Sequence, residues 1–162
     1  MTGMTKSMTG MRGVGMGVAN DRSIAWGIAK AMHEAGAELA FSYQGDAFGK
    51  RVEPLADSVG SKILLDMDVT NEASVEKGFA ELKQSWPTID FVVHAIAYSD
   101  KSELTGRFLN TSRQNFKNSM DISCFSFIEV ARRAYPLMKD NGGPLLPLTC
   151  QGSRRVAPNY TV

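Results

Sequence analysis

Short apolar runs alternate along this chain with longer segments of helical periodicity, and this alternation limits the possible folds. The predicted strands are residues 12–19, 37–43, 61–69, 91–97 and 144–149. The predicted helices are residues 23–35, 48–59, 73–86 and 113–138, the first two followed by Gly36 and Gly60. Strand–helix alternation at this spacing predicts an α/β fold with a parallel, doubly wound sheet. The continuously apolar run 91–97 is typical of a strand covered by helices on both faces.

No internal repeat or linker divides the chain, so we expect a single dinucleotide-binding, Rossmann-like domain of about five strands over residues 12–162. Residues 1–11 are small and polar apart from four methionines, and we expect a flexible leader there. The pattern stops after the fifth strand, which predicts a bare edge strand and a domain truncated before its C-terminal strands.

Composition argues against several classes of protein. The 18 Lys and Arg residues balance 17 Asp and Glu residues without a basic block, which argues against binding to nucleic acid or anionic membranes. No apolar run approaches the roughly 18 residues of a membrane span. His33 and His94 lack companion ligands at metal spacing, so no metal site is expected. Two cysteines predict a reduced, cytoplasmic protein, with Cys124 in the core and Cys150 more reactive toward alkylating agents.

The loop after the first strand is the first candidate binding site, because ligands of open parallel sheets bind at the carboxyl ends of the strands. Gly17 permits a tight turn with a close backbone approach to a ligand. Ser23 is a candidate N-cap that would leave the amides of Ile24 and Ala25 directed at a pyrophosphate. An ordinary glycine turn with a helix cap explains the same residues, and both interpretations stay open at this point.

Further candidates follow the other strands. Gln44 comes after the second strand, where hydrogen bonds to an adenosine ribose are expected. Asp68 and Val69 end the third strand, where adenine could be held, and Ile96 lies among small residues after the fourth. The absence of an arginine directly after the second strand favours NAD(H) over NADP(H), but Lys50 and Arg51 further along the chain keep both cofactors open. The alternatives are a turn-forming Asp68 and a buried core histidine at position 94.

Four segments resemble the bacterial NADH-dependent enoyl-acyl-carrier-protein reductases of fatty acid biosynthesis, oxidoreductases of the short-chain dehydrogenase/reductase superfamily. They read GVANDRSIAWGIAKAMHEAGAELAFSYQGDAFGKRV, DFVVHAIAYSDKSELTGRF, DISCFSFIEVARRA and GSRRVAPNYTV. The resemblance implies NAD(H) as cofactor, an enoyl thioester on acyl carrier protein as substrate, and the tetramer found in the family. It places Gly17, Ser23 and Ile24 at the pyrophosphate, Gln44, Asp68 and Val69 at the adenosine, Ile96 beside the nicotinamide ribose, Ser99 near the substrate entrance, and Tyr160 as the catalytic tyrosine.

Several positions depart from the family pattern. Cys150 stands where the family has a second active-site tyrosine, and a thiol is a weak hydrogen-bond donor. No lysine follows Tyr160 to hold the cofactor ribose, which predicts that these 162 residues are inactive alone. A nucleotide-binding or interaction module without catalysis is therefore the second hypothesis, and a non-functional fragment is the third. A short-chain dehydrogenase acting on a carbonyl is the weakest alternative.

Overall fold

Five parallel strands form one sheet in the structure, a computed structural model that describes residues 7–155. The strands are β1 (Arg12–Met16), β2 (Glu38–Tyr43), β3 (Leu64–Asp66), β4 (Phe91–His94) and β5 (Leu145–Pro147). Their order in the sheet is β3-β2-β1-β4-β5, and each neighbouring pair is parallel. This is the strand order of a Rossmann-like sheet, which confirms the predicted fold class.

The helices follow the predicted sequence of elements. They are α1 (Ile24–Glu34), α2 (Gly45–Ser58), α3 (Glu72–Ser85), α4 (Arg113–Met120) and α5 (Ser126–Met138). Gly36 and Gly60, predicted to end the first two helices, have φ angles of +103° and +69°. Such angles are easily adopted by glycine just beyond a helix C-terminus.

Helices cover the sheet on both faces. Val14, Met16 and Val92 point into a core cluster with buried residues of α3 and α5. The opposite face of the sheet carries Phe41 and Phe91, which point into a second cluster with α1 and α2. Because successive side chains of a strand alternate between faces, strands buried on both sides are apolar at every position. The continuous apolar runs in the sequence have this origin.

The strands end earlier than their apolar runs. Residues 12–19 and 91–97 were predicted as strands, but β1 stops at Met16 and β4 at His94. Gly17 has a φ angle of +94°, which no strand accommodates, and it directs the chain away from the sheet. The residues beyond both strands are therefore free to form the walls of a cavity.

The long helix predicted over residues 113–138 is interrupted by a π-helical turn, Asp121–Phe125. A π-helical turn holds one extra residue, which rotates the faces on its two sides by about 100° relative to each other. Helical periodicity over residues 113–138 predicts a single apolar face with Phe116, Met120, Cys124, Phe127, Val130 and Ala131, and this face is wrong in its first half. Phe116 and Met120 are 55% and 46% exposed, and Cys124 is exposed rather than in the core.

Exposure of both cysteines also removes the basis for expecting faster alkylation at Cys150 than at Cys124. The face of α5 that lies over the sheet keeps its predicted role, because Val130 is fully buried in the core that α5 shares with α3.

The ends of the described chain are attached to the sheet in different ways. Met8 and Met11, within the predicted leader, pack against the core cluster of α1 and α2, and the Met8 N–H donates to the Ala35 carbonyl. At the other end β5 pairs with β4 only among residues 7–155, and Pro147 lies on this edge strand, where a missing N–H donor is tolerated. Within the same residues, no helix combines the length and apolar character needed to cross a membrane.

Candidate functional site

A cavity of about 420 Å³ opens at the carboxyl ends of the strands. Gly17, Gln44, Asp68, Val69 and Ile96, five residues singled out from the sequence, all line it. The other lining residues are Val18, Ala19, Ser42, Tyr43, Phe48, Met67, Thr70, Ala95, Ala97, Tyr98 and Ile122. The structure thus brings residues from four successive strand ends to one place, as the parallel topology requires.

Gly17 forms the floor of this cavity through a contact that only glycine permits. A Cβ atom built at this position would lie 2.1 Å from the carbonyl oxygen of Ala95. Its φ angle of +94° also lies where L side chains are strained. The segments that leave β1 and β4 therefore cross in close backbone contact. This agrees with the predicted tight turn at Gly17.

Ser23 and Ile24 do not line the cavity, and one detail of the prediction is wrong. Ser23 occupies the N-cap position of α1, but its hydroxyl donates to the carbonyl of Asn20 at 2.7 Å instead of accepting from a helix amide. The Ile24 side chain is 71% exposed. The N–H groups of Ile24 and Ala25 donate to no acceptor within residues 7–155, so the first turn of α1 presents free amides.

Asp68 and Gln44 interact at the edge of the cavity that β2 and β3 form. The Thr70 N–H and hydroxyl donate to Asp68 Oδ1 at 2.9 and 2.7 Å. Burial alone would raise the pKa of Asp68, but these two bonds and one from the Gln44 side chain lower the pKa below its ordinary value. The carboxylate is therefore ionised at neutral pH and positioned to accept hydrogen bonds from hydroxyl or amino groups.

The opposite wall is formed by the residues after β4. Ile96 and Tyr98 line it together with Ile122, which belongs to the π-helical turn. Ser123 ties the two segments together, since the Tyr98 N–H donates to the Ser123 hydroxyl at 2.9 Å and that hydroxyl lies 3.1 Å from the Tyr98 carbonyl. Ile122 could not be predicted from the sequence, because its position depends on a π-helical turn without a sequence signature. Tyr43, Phe48 and Thr70 were also missed, although each lies within four residues of a predicted contact.

His94 is a buried core residue, as one of the two interpretations of the sequence held. It is 2% exposed, it does not line the cavity, and its Nε2 atom lies 2.8 Å from the Ser126 hydroxyl. Burial lowers its pKa, which keeps the imidazole neutral at neutral pH. No group of three or more His, Cys, Asp or Glu side chains within residues 7–155 could hold a metal ion.

Two further predicted residues, Ser99 and Cys150, do not line the cavity. Ser99 is half-buried beside α4, where the Asn115 amide donates to its hydroxyl at 3.1 Å. Cys150 is exposed and contributes nothing to the cavity wall. Tyr160 lies outside the described residues. The structure therefore brings together five of the seven residues predicted for a nucleotide, whereas Ser99 and Cys150 are not part of this cavity.

Comparisons with known proteins relate this chain to one enzyme family. The model of the family described as enoyl-(acyl carrier protein) reductase matches residues 17–162. An enoyl-[acyl-carrier-protein] reductase [NADH] of Rhizobium meliloti is 58% identical over 155 residues, which are 96% of this chain and 57% of that protein.

Solved structures show the same similarity in three dimensions. FabI from Candidatus Liberibacter asiaticus matches with a TM-score of 0.94 and 54% identity, over 97% of this chain and 60% of that one. The reductase of Anaplasma phagocytophilum in complex with NAD matches with a TM-score of 0.92 and 50% identity, over 96% and 59%. The chain spans about 60% of the length of these relatives, and with the family model matched from the Gly17 turn to Val162 it belongs to the enoyl-(acyl carrier protein) reductase family.

Proposed function

We propose that this chain provides the NADH-binding part of an enoyl thioester reductase of fatty acid biosynthesis. The observation that carries the proposal is the convergence of Gly17, Gln44, Asp68, Val69 and Ile96 on one cavity at the strand ends. In open α/β sheets this is the position of the nucleotide. Relatives named as NADH-dependent reductases and a relative solved with NAD support the same assignment.

The cavity residues divide among the parts of a dinucleotide. Gln44, Asp68 and Val69 would hold the adenosine, where an ionised carboxylate accepts hydrogen bonds from ribose hydroxyl or adenine amino groups. The free first-turn amides of α1 and the partial positive charge of that helix end suit the pyrophosphate. Ile96 would contact the nicotinamide ribose, and the small side chains of Ala95 and Ala97 leave room beside it.

The charge of the cavity supports NADH over NADPH. None of the described lining residues is lysine or arginine, and the ionised Asp68 carboxylate lies among them. A 2′-phosphate placed there would find no cationic partner among these lining residues and would be repelled by this carboxylate. The absence of an arginine directly after β2 in the sequence favours the same cofactor.

The proposed reaction divides the chemistry between cofactor and protein. NADH supplies a hydride to the β-carbon of a trans-2-enoyl thioester when it is bound. The Tyr160 hydroxyl would donate a hydrogen bond to the thioester oxygen, on which negative charge develops. Cys150, at the second tyrosine position of the family, would contribute little to this stabilisation, because a thiol is a weak donor.

Substitution of Asp68 by alanine is expected to raise the Kd for NADH about tenfold. The variant loses a carboxylate acceptor and releases the Thr70 and Gln44 side chains that it orders, and about 1.4 kcal/mol corresponds to that factor. NADH fluorescence titration measures the change. Asp57→Ala is the matched control, since Asp57 is exposed at the C-terminal end of α2 and pairs with Lys62. Equal affinities of the two variants would contradict the assignment of Asp68 to the adenosine.

Catalysis is tested separately, by NADH oxidation in the presence of crotonyl thioester. Where the protein oxidises NADH in this assay, replacing Tyr160 with phenylalanine is expected to lower the rate about 100-fold, the typical effect of losing one donor to a developing oxyanion. An NADH oxidation rate that does not change with this substitution would contradict the proposed role of Tyr160.

The second candidate function is a nucleotide-binding module without catalysis. It is favoured by one observation, that the described cavity contains five of the proposed nucleotide contacts but neither Ser99 nor Cys150. Binding of NADH without turnover above the level of Tyr160→Phe would support this candidate against the reductase. A cytoplasmic location and action on acyl carrier protein stay predictions.

Self-association is the remaining part of the proposal. An apolar surface along α4, the π-helical turn and α5 exposes Phe116, Met120, Phe125, Ile128 and Tyr135. Apolar surfaces of this kind often mark protein interfaces, and this one supports the homo-oligomer that the family resemblance implies.

A further inference from the structure

The π-helical turn between α4 and α5 is stabilised by a side chain. The Ser126 N–H donates to the Asp121 carbonyl, five residues earlier, as in a π-helix. In a regular α-helix that N–H would bond to the Ile122 carbonyl. Here the Ser126 hydroxyl donates to the Ile122 carbonyl instead, at 2.6 Å. The Ser126 hydroxyl thus bonds to the carbonyl oxygen that would accept from the Ser126 N–H in a regular α-helix.

The same hydroxyl connects this turn to the central part of the sheet. His94, the last residue of β4, places Nε2 at 2.8 Å from Ser126 Oγ. A carbonyl oxygen can only accept, so a hydroxyl that donates to Ile122 accepts its second bond from Nε2–H. His94 and Ser126 are 2% and 1% exposed, and water does not compete with bonds in such surroundings. The His94 and Phe127 rings also pack in an edge-to-face arrangement, with centroids 5.6 Å apart.

Both residues that Ser126 connects are adjacent to the cavity wall. Ile122 lines the cavity directly, and His94 precedes Ala95, Ile96 and Ala97, which line it as well. Ser123 makes a second connection to Tyr98, but it is exposed and its bonds compete with water. The buried Ser126 hydroxyl is therefore the stronger of two connections that set the separation between Ile96 and Ile122.

We infer that Ser126 is a positioning residue of the nucleotide site, which acts through His94 and Ile122 to shape the part of the cavity that receives the nicotinamide riboside. The inference rests on the proposed binding of NADH. Ser126 itself would touch neither cofactor nor substrate. Its effect is confined to the wall built by Ile96 and Ile122, whereas the adenosine contacts at Gln44, Asp68 and Val69 lie on the opposite side, beyond β2 and β3.

Two ligands distinguish positioning from general damage. NADH occupies the whole proposed site, whereas ADP lacks the nicotinamide riboside and reports on the adenosine side. For Ser126→Ala we expect the Kd for NADH to rise about tenfold and the Kd for ADP to stay within twofold, both measured by isothermal titration calorimetry. Ser126→Thr keeps a hydroxyl that can bond to the carbonyl four residues earlier, so it should recover most of the NADH affinity.

Ser61→Ala is the matched control. Ser61 is also a buried serine, but it precedes β3, away from the cavity, and its hydroxyl has no partner within the described residues. This variant should bind both ligands like the unsubstituted chain. An equal loss of NADH and ADP affinity in Ser126→Ala, or no loss of either, would overturn the positioning role.

Two further outcomes also decide the question. If Ser126→Ala fails to fold, Ser123→Ala takes its place, since Ser123 is exposed and connects the same turn to Tyr98. Ser123→Ala should raise the Kd for NADH about threefold and leave the Kd for ADP unchanged. An unchanged Kd for NADH would overturn the inference. Failure of the unsubstituted chain to bind NADH would overturn the proposed function as well, whereas normal NADH binding with an insensitive Ser126 would overturn the positioning role alone.

Discussion

Alanine at position 17 is expected to lower the free energy of unfolding by about 4 kcal/mol. The new Cβ would lie 2.1 Å from the Ala95 carbonyl oxygen and 2.6 Å from its carbon, and both are backbone atoms that cannot rotate away. Overpacking of this kind costs about 1–3 kcal/mol, and a φ angle of +94° adds about 1–3 kcal/mol for a residue with a side chain. Urea unfolding followed by circular dichroism measures the loss.

Gly27→Ala is the control with the same chemical change and the opposite expected sign. Gly27 lies within α1, and a Cβ built there meets no heavy atom within 4 Å. Alanine should stabilise the helix by about 1 kcal/mol, because glycine has a low helix propensity. If the two variants were equally stable, the exits of β1 and β4 could not cross as the structure has them, and the floor of the proposed nucleotide site would be wrong.

Substitution of both Arg132 and Arg133 by alanine is expected to lower the free energy of unfolding by about 4 kcal/mol. These two side chains are the ionic partners of Glu129, which lies on α5 and is 2% exposed. With alanine at both positions, the carboxylate would stay buried without a cation. Breaking a buried pair by removing one side typically costs 3–5 kcal/mol, far more than the same change at the surface. The free energy of unfolding in urea is again the measurement.

Two companion variants identify the cause. Adding Glu129→Leu to the double variant should restore most of the lost stability, because the unpaired charge is then gone. Lys77→Ala removes an exposed partner of Glu81, with side chains 73% and 44% exposed, and should cost no more than about 0.5 kcal/mol. A triple variant as unstable as the double one would mean that the arginine side chains stabilise the fold through packing rather than charge.

Most of the nucleotide side of the site could be predicted because its residues directly follow strands. Gln44, Asp68 and Ile96 are near their predicted places, since parallel strands deliver their carboxyl ends to one edge of the sheet. Ser23 shows the limit of this approach. Its position before α1 is that of an N-cap, but its hydroxyl bonds to Asn20, and only the three-dimensional loop decides which of two acceptable partners a serine uses.

The order of strands and helices was determined by the sequence alone. A strand that is buried on both faces is apolar throughout, whereas a helix that is buried on one face shows helical periodicity. The interior of the site was decided by tertiary structure. The π-helical turn turns Cys124 outward and Ile122 toward the cavity, and no local pattern encodes it. The π-helical turn and the residue after it bond to groups distant in sequence, His94 on β4 and Tyr98 after β4. Such contacts exist only once the chain has folded, so the turn depends on tertiary structure.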